Sequence, residues 1–423
     1  MTSPTLDSSI SQVETLQAWV PRCLLQLSPG TGPTPVSQEG LTPVQFSWRD
    51  GRLLRPKSLQ LDAAPQLLAL PRLVDPHVHL DKAFSWQDYP NLSGTYDGAL
   101  AANLREHHTR SESAVLARGE KALQRACLHG LRALRSHIDS LGPGAEPSWR
   151  ALRQLRDRWE GTIDLQLVAL VPLAHWQTPA GERLAAQVAD WGGLLGAVLA
   201  PPCGGSAVRR QLAALLTLAE RFDCSVDLHI DEADRDPASG LKQLLRVQER
   251  LHCRQRITCS HASSLSLLPP ASLRKLAERM AAAGLQVVAL PLTNGWLLGR
   301  VPESTPVQRP LAPIHQLQRG GVRVAVGGDN VADPWFPGGD FDPLALMAAS
   351  IPLAQLAPWQ RLGLAPFTTA AAESMDLSWN GVLCEGAPAD LVVLHAGTWS
   401  EALRRPPQRR VLIGGRWWQP AGR

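Results

Sequence analysis

Eight short apolar segments, alternating with longer stretches rich in Ala, Leu and Arg, constrain the fold of this chain more than any other feature. The longer stretches have a composition that favours helices. Eight strand–helix units in about 300 residues predict an α/β fold, a (β/α)₈ barrel with its active site at the carboxyl ends of the strands. A doubly wound open sheet is the alternative, but no Gly-x-Gly-x-x-Gly follows the first segment. The predicted strands are 71–79, 131–138, 163–171, 194–199, 225–230, 256–261, 286–291 and 322–328, and the predicted helices are 113–130, 182–190, 208–222, 241–252 and 271–284.

Both ends of the chain have a different pattern, with short apolar runs around tight turns. After a stretch rich in Pro and Gly over 28–40, a strand is predicted at 44–48. The Asp50–Gly51 pair that follows is typical of a β-hairpin turn. Near the other end, 391–394 and 410–416 have the same character. Both termini are therefore predicted to be rich in β-structure.

The charge balance argues against a nucleic acid partner. The chain has 42 basic and 38 acidic residues, a formal net charge of +4, and no basic block with interleaved aromatic residues. Residues 1–20 are polar, and no apolar run of membrane-spanning length follows them. The seven Cys lack paired spacing, which is typical of reduced thiols. We therefore expect a cytoplasmic protein with no membrane and no nucleic acid partner.

The first barrel segment ends in His77-Val78-His79. Residues i and i+2 of a strand project to the same side, so the two imidazoles can bind one metal ion. With 12 His in 423 residues, chance alone gives about 0.3 such pairs per chain, so the pair needs support from further ligands.

Metal-binding or titratable side chains recur where three later segments end. The fifth segment leads to His229 and Glu232, the sixth ends at His261, and the eighth leads to Asp329. Four strand–helix units separate His77 from His229, and a unit of this kind needs roughly 30 or more residues. The spacing therefore predicts that these side chains meet at one end of a single barrel.

These residues belong to an ordered series of motifs that resembles the amidohydrolase superfamily, and within it the cytosine deaminase-like branch. The resemblance covers nearly the whole chain. It implies a catalytic barrel over 71–372 and a small β-sandwich formed jointly by 1–70 and 373–423. The motifs are 77–81, 136–139, 229–232, 260–261, 295–300 and 329–335, supported by 21–25, 50–52 and 389–394.

The resemblance also implies one divalent ion. Three imidazoles and a carboxylate suit zinc or ferrous iron. Binuclear members of the superfamily add a carbamylated Lys at the end of the fourth strand, where this chain has no Lys over 196–202. Lys82 is expected to be exposed or ion-paired, because an ammonium has no lone pair to offer a metal. The implied ligands are His77, His79, His229 and Asp329.

The implied chemistry is hydrolysis by a metal-activated water. Asp329 and His261 are expected to take the proton of that water and orient the nucleophile. Glu232 is expected to protonate a ring nitrogen of the substrate and then pass a proton to the departing amine, which requires a raised pKa. Without the flanking His, the acidic segment 231–236 would be interpreted as a solvated loop.

Substrate contacts are less constrained. His137 is a candidate for the substrate wall or for a second layer behind the metal, and Trp335 for stacking on a flat ring or anchoring a loop. In cytosine deaminases a Gln contacts the amide edge of the pyrimidine where this chain has Leu173, which can neither donate nor accept a hydrogen bond. The residue after the metal-binding Asp is Asn330, where the family commonly has a second Asp.

We therefore expect hydrolysis of a carbon–nitrogen bond in a planar cyclic amidine, with release of ammonia. Cytosine is the first candidate substrate, and a substituted pyrimidine or a triazine is the next. Two alternatives stay open: ring opening of a cyclic amide, and a non-catalytic barrel retained for binding. A homo-oligomer is also possible.

Overall fold

The computed structural model describes residues 13–27, 34–60, 65–404 and 407–419. Residues 1–12, part of the polar segment 1–20 that supported the expectation of a cytoplasmic protein, lie outside this range, and so do 28–33 of the Pro- and Gly-rich stretch.

Sixteen strands and thirteen α-helices lie within the described residues. The strands are β1 (Glu14–Pro21), β2 (Leu41–Arg49), β3 (Arg52–Leu53), β4 (Lys57–Ser58), β5 (Leu68–Pro71), β6 (Leu73–Val78), β7 (Leu131–Asp139), β8 (Asp164–Pro172), β9 (Leu194–Leu199), β10 (Val226–Ile230), β11 (Ile257–His261), β12 (Gln286–Ala289), β13 (Arg323–Val326), β14 (Leu391–Leu394), β15 (Arg409–Ile413) and β16 (Arg416–Trp417). The helices are α1 (Tyr96–Thr109), α2 (Glu112–Leu128), α3 (Ala145–Arg158), α4 (Pro179–Asp190), α5 (Gly205–Phe222), α6 (Ser239–Leu251), α7 (Pro270–Ala282), α8 (Pro291–Leu297), α9 (Ile314–Arg319), α10 (Pro343–Ala354), α11 (Arg361–Leu364), α12 (Thr369–Ser374) and α13 (Trp399–Arg404).

Strands β6 to β13 form the predicted barrel. They pair in chain order, each parallel to the next. The two edge strands approach each other through a parallel bridge between Val78 and Asp329, where the Asp329 amide donates to the His77 carbonyl at 2.8 Å. The barrel thus closes where its first and last predicted metal-binding residues stand.

Strands from both termini form a separate eight-stranded sheet, in the order β16-β15-β14-β5-β1-β2-β3, with β4 paired to β2. The predicted hairpin is confirmed, since Arg49 pairs with Arg52 around the turn. Within β5 the faces alternate: Ala69 packs in the cluster of the terminal sheet, whereas Leu68 and Leu70 join the core of the barrel. The sheet is therefore tied to the barrel by a continuous apolar core.

The first predicted strand, 71–79, belongs to two strands in the structure. Pro71 ends β5 in the terminal sheet, where it pairs with Leu391, and β6 begins at Leu73. Between them Arg72 is buried and donates to the carbonyls of Leu131 and Thr162, at 2.6 and 2.9 Å. These bonds anchor the crossing from the sheet into the barrel.

Helix α1 lies between the first barrel strand and α2 and was not predicted. Thr95 caps it by accepting a hydrogen bond from the amide of Gly98 at 3.1 Å. Its buried side chains include the polar Asn103, Glu106 and His107. None of the helices in the described ranges is long and apolar enough to cross a membrane.

Candidate active site

Three strand ends bring the four predicted metal ligands together. His77 and His79 lie at the end of β6, His229 lies in β10, and Asp329 follows β13. The Asp329 Oδ1 atom is 3.6 Å from His77 Nε2 and 3.4 Å from His79 Nε2. The Nε2 atoms of His79 and His229 face each other at 3.3 Å. All four side chains are buried.

The unpaired atoms of this cluster fit a cation. His77 Nε2 and both carboxylate oxygens of Asp329 are buried without a hydrogen-bond partner, although buried polar atoms normally have one. Burial, and then the neighbouring imidazoles, lower the pKa of His77 and of His229 well below its ordinary value. Both rings are therefore neutral, as metal-binding imidazoles must be.

The carboxylate of the cluster is ionised. Burial by itself would raise the pKa of Asp329, but the close contact with His79 and the other neighbouring imidazoles outweigh it and lower that pKa. Two sets of three potential ligand atoms lie within 4.8 Å of one another: those of His77, His261 and Asp329, and those of His77, His137 and His229. The cluster could therefore bind a metal ion.

A second layer sets the orientation of the two rings from β6. Ser260 Oγ donates to Asp227 Oδ1 at 2.8 Å and lies 2.9 Å from His77 Nδ1. Because its hydrogen is used on Asp227, the hydroxyl accepts from His77 Nδ1–H and leaves Nε2 free for a metal. His79 Nδ1 likewise donates to the carbonyl of His137 at 3.2 Å. Arg135 donates to Asp227 at 2.9 Å and balances its charge.

Removing this second layer should weaken metal binding. Ser260→Ala leaves His77 Nδ1 without its acceptor, so we expect a metal dissociation constant roughly 10 to 100 times higher, the usual cost of losing an outer partner. The measurement is titration of metal-depleted protein against a competing chelator. Ser350→Ala is the matched control, because Ser350 is also buried but donates to Leu346 within α10. Equal affinity in Ser260→Ala and wild type would contradict the assigned orientation of His77.

Glu232 turns back toward the cluster because of the residue before it. Asp231 has a left-handed φ of 55°, and its carboxylate accepts from the amides of Gly240 and Leu241 at 2.9 and 2.8 Å, at the start of α6. The chain therefore reverses at the end of β10. Glu232 Oε1 then lies 3.3 Å from His261 Nδ1.

Asn294, which the sequence analysis did not identify, joins Glu232 to His261. Its Nδ2 lies 3.3 Å from Glu232 Oε1 and 3.1 Å from His261 Nδ1. Burial, with the charge of Asp329, raises the pKa of Glu232 well above its ordinary value, although the hydrogen bond from Asn294 opposes this shift. Burial lowers the pKa of His261 to about 4. The protonated carboxyl group of Glu232 and the neutral imidazole of His261 thus both contact the side-chain amide of Asn294. This arrangement is suited to proton transfer.

These groups open into a cavity of about 160 Å³. Asn330 and Trp335 line it as the sequence suggested, and Trp335 meets Tyr96 edge to face with ring centroids 5.0 Å apart. Further lining residues that the sequence analysis did not single out as substrate contacts are Tyr96, Leu100 and Asn103 of α1, together with Lys82, Asp139, Leu170 and Val198.

Two of the predicted substrate contacts lie elsewhere. Leu173 follows the end of β8 and packs in the core of the barrel, while Leu170 lines the cavity from the same strand. His137 is fully buried and stacks on His77 with ring centroids 3.8 Å apart, so of its two predicted positions it takes the one behind the cluster and not the one in the cavity wall.

The sequence analysis expects Lys82 to be exposed or ion-paired. In the structure Lys82 is ion-paired and buried. Its Nζ contacts both oxygens of Asp139, at 3.0 and 2.9 Å. Burial by itself would lower the pKa of Lys82, but the charges of Asp139 and Asp81 outweigh it and raise that pKa. Lys82 therefore remains an ammonium and is unsuited to be a metal ligand.

Comparisons with known proteins identify the family of this chain. The amidohydrolase family model matches residues 176–417. Pterin deaminase from Rhizobium rhizogenes (strain K84) is 32% identical over 394 residues, which cover 90% of this chain and 88% of that protein. N-isopropylammelide isopropyl amidohydrolase from Pseudomonas sp. (strain ADP) is 23% identical over 344 residues, which cover 80% of this chain and 82% of that protein.

Solved structures share the architecture. The structure of 5-methylcytosine deaminase from Klebsiella pneumoniae, liganded with 5-fluorocytosine, has a TM-score of 0.79 and 24% identity, with 95% of this chain and 97% of that chain covered. This likeness confirms the fold. The family match over more than half of the sequence, and the 32% identity to a deaminase over nearly all of it, confirm the predicted membership: the chain belongs to the amidohydrolase family, whose members are hydrolytic enzymes.

Proposed function

We propose that this protein is a metal-dependent aminohydrolase that releases ammonia from a planar nitrogen heterocycle. The observation that carries the proposal is the contact of Glu232, His261 and Asn294 beside an unpaired His and Asp cluster, with both groups at one small cavity. A carboxyl group with a raised pKa next to a metal site is what protonation of a ring nitrogen requires.

His77, His79, His229 and Asp329 would hold the ion, and zinc or ferrous iron suits this set. When bound, the ion lowers the pKa of a water molecule and so supplies the nucleophile at neutral pH. Asp329 takes the proton, while His261 orients the attack. Glu232 protonates the ring nitrogen as the amidine carbon is attacked. Glu232, now a carboxylate, then takes the proton of the hydroxyl group added to the carbon and passes it to the amine as the carbon–nitrogen bond breaks. The products are a ring carbonyl and ammonia, and the proton held by Asp329 restores the Glu232 carboxyl group.

Pterin is the first substrate to test, and cytosine is the second. The sequence analysis put cytosine first. The 32% identical relative is a pterin deaminase, and a pterin carries its amino group on a carbon between two ring nitrogens, the amidine arrangement that this mechanism needs. The structural relative liganded with 5-fluorocytosine keeps cytosine in the panel.

The proposal predicts ammonia in a metal-dependent assay. Purified protein with its metal content measured should release ammonia from pterin, cytosine or an aminotriazine, and chelation should abolish the release. A cyclic amide serves as the comparison substrate. Ring-opened acid without ammonia would favour the ring-opening alternative, and stoichiometric metal without either product would favour a non-catalytic barrel.

A further inference from the structure

One polar atom in the wall of the cavity, outside the His and Asp cluster, lacks a partner. Asn103 lines the cavity from α1 and is 7% exposed. Its Oδ1 is buried without a hydrogen bond, and the other such atoms among the described residues that line this cavity belong to His229, His261 and Asp329. Since buried amide oxygens normally accept a hydrogen bond, this atom is available to a ligand that donates one.

The orientation of the Asn103 amide is set by its neighbour. The Nδ2 atom donates to Asp139 Oδ2 at 3.3 Å. Asp139 is ion-paired with Lys82 and with Arg110, which is 3.2 Å away, so its carboxylate can only accept. Turning the amide over would place Oδ1 against a negative charge. Oδ1 is therefore the atom left without a partner.

Lys82 supplies a donor to the same part of the wall. Its Nζ contacts the two oxygens of Asp139, and these contacts use two of its three N–H groups. Lys82 also lines the cavity. Asn103 and Lys82 both contact Asp139, so the wall offers an acceptor and a donor fixed to one carboxylate.

The polar side chain that the sequence analysis named as a substrate contact, Asn330, is already occupied. Asn330 Nδ2 donates to Asp333 at 2.9 Å, and its Oδ1 lies 3.4 Å from the Thr293 hydroxyl. Leu173 is apolar and packs in the barrel core. Tyr96 and Trp335 also line the cavity, but each offers a single polar group, a hydroxyl or an indole N–H. Asn103 and Lys82 together offer an acceptor and a donor held by one carboxylate, which is the pair that a substrate edge with both an N–H and a C=O needs.

We propose that Asn103 and Lys82 recognise the amide edge of the bound heterocycle, with the ring N–H donating to Asn103 Oδ1 and the adjacent ring carbonyl accepting from Lys82 Nζ. This inference rests on the proposed function for the identity of the site. It makes the lactam form, with neighbouring N–H and C=O groups, the class of ring that the enzyme accepts. It assigns substrate specificity to Asn103 of α1 and to Lys82, which lies between β6 and α1.

A bump-and-hole experiment tests the proposal. The probes are pterin and 3-methylpterin, in which a methyl group replaces the hydrogen of the ring N–H beside the carbonyl. Wild type should bind 3-methylpterin roughly tenfold or more weakly than pterin, because one buried hydrogen bond is lost. Asn103→Ala removes the acceptor and makes room for the methyl group, so it should weaken pterin binding and reduce or reverse this preference. In turnover, KM for pterin should rise more than kcat falls.

The dissociation constants are measured by calorimetry on metal-loaded protein, with Glu232→Gln introduced alike into the wild-type, Asn103→Ala and control backgrounds so that pterin is not turned over. Because these values do not need turnover, they separate this proposal from the proposed function. Leu104→Ala, at an exposed position of the same helix, is the control and should leave the preference unchanged. Weaker pterin binding in Asn103→Ala without ammonia release by wild type would support the subsite and reject the deaminase. Ammonia release with the same preference for pterin in wild type and Asn103→Ala, equal affinity of wild type for both probes, or no binding of either, would overturn the subsite.

Discussion

Replacing Glu232 with Gln should reduce kcat for ammonia release by a factor of about 10² to 10⁴, the range that a positioned acid–base group contributes. Gln keeps the size of the side chain and can still contact Asn294. It cannot carry the proton that moves to the ring nitrogen and then to the amine. The measurement is steady-state ammonia release from the substrate identified in the panel, with wild type assayed in parallel.

Measuring the metal content distinguishes a lower kcat caused by the missing acid–base group from a lower kcat caused by loss of the metal. Glu232 contacts His261 and Asn294 and is not among the proposed ligands, so the Gln variant should hold as much metal as wild type. KM should change less than kcat, because the proton transfer is needed after binding. A variant with full metal and nearly full kcat would remove Glu232 from the mechanism and leave the family assignment in place.

The barrel could be predicted from the sequence because its short apolar strands alternate with longer stretches of helix-forming composition. The segment 194–199 coincides with β9, and the other predicted strands overlap the observed ones. The seventh ends earlier than predicted, at Ala289, because Pro291 begins α8, where a missing amide hydrogen costs little. The predicted metal ligands also lie together, since parallel strands in one barrel present their carboxyl ends on one face.

Helix α1, which forms part of the cavity wall, was not predicted from the sequence, and the reason is physical. A helix is recognised in a sequence by an apolar stripe, but the buried face of α1 carries Asn103, Glu106 and His107 beside small Ala side chains. Arg110 compensates this polar face through its contacts with Glu106 and Asp81. The contact with Glu106 is local, but Asp81 lies outside the helix, far from Arg110 in the chain. No local sequence pattern therefore indicates that the polar face is compensated.

The side-chain direction of Leu173 could not be predicted from the sequence, for a different reason. The resemblance located it by its position after a Pro, but the direction of a side chain near a strand end depends on where the strand stops. Strand β8 ends at Pro172 and continues into a short 3₁₀ helix, which turns Leu173 into the core. Leu170, two residues before the end of the strand, lines the cavity instead.

His79→Ala should have the largest effect on the metal. Losing an outer partner of a ligand costs roughly 10 to 100-fold in affinity, so losing a ligand itself should cost more than that. We expect wild type to retain close to one ion per chain after dialysis and the variant to retain almost none, as measured by elemental analysis. His108→Ala is the control, because His108 is exposed and contacts only its own helix through Leu104 in the described structure.

Thermal unfolding gives a second measurement that does not depend on activity. A ligand that binds only the folded state stabilises it by RT ln(1 + [L]/Kd), so adding zinc to metal-depleted wild type should raise Tm, whereas His79→Ala should respond little. Retention of a full complement of metal by His79→Ala would contradict the ligand set. His137 and His261 would then be the residues to test next, because each belongs to a group with His77 whose potential ligand atoms lie within 4.8 Å. The comparison thus decides whether His79 is one of the clustered imidazoles that hold the ion.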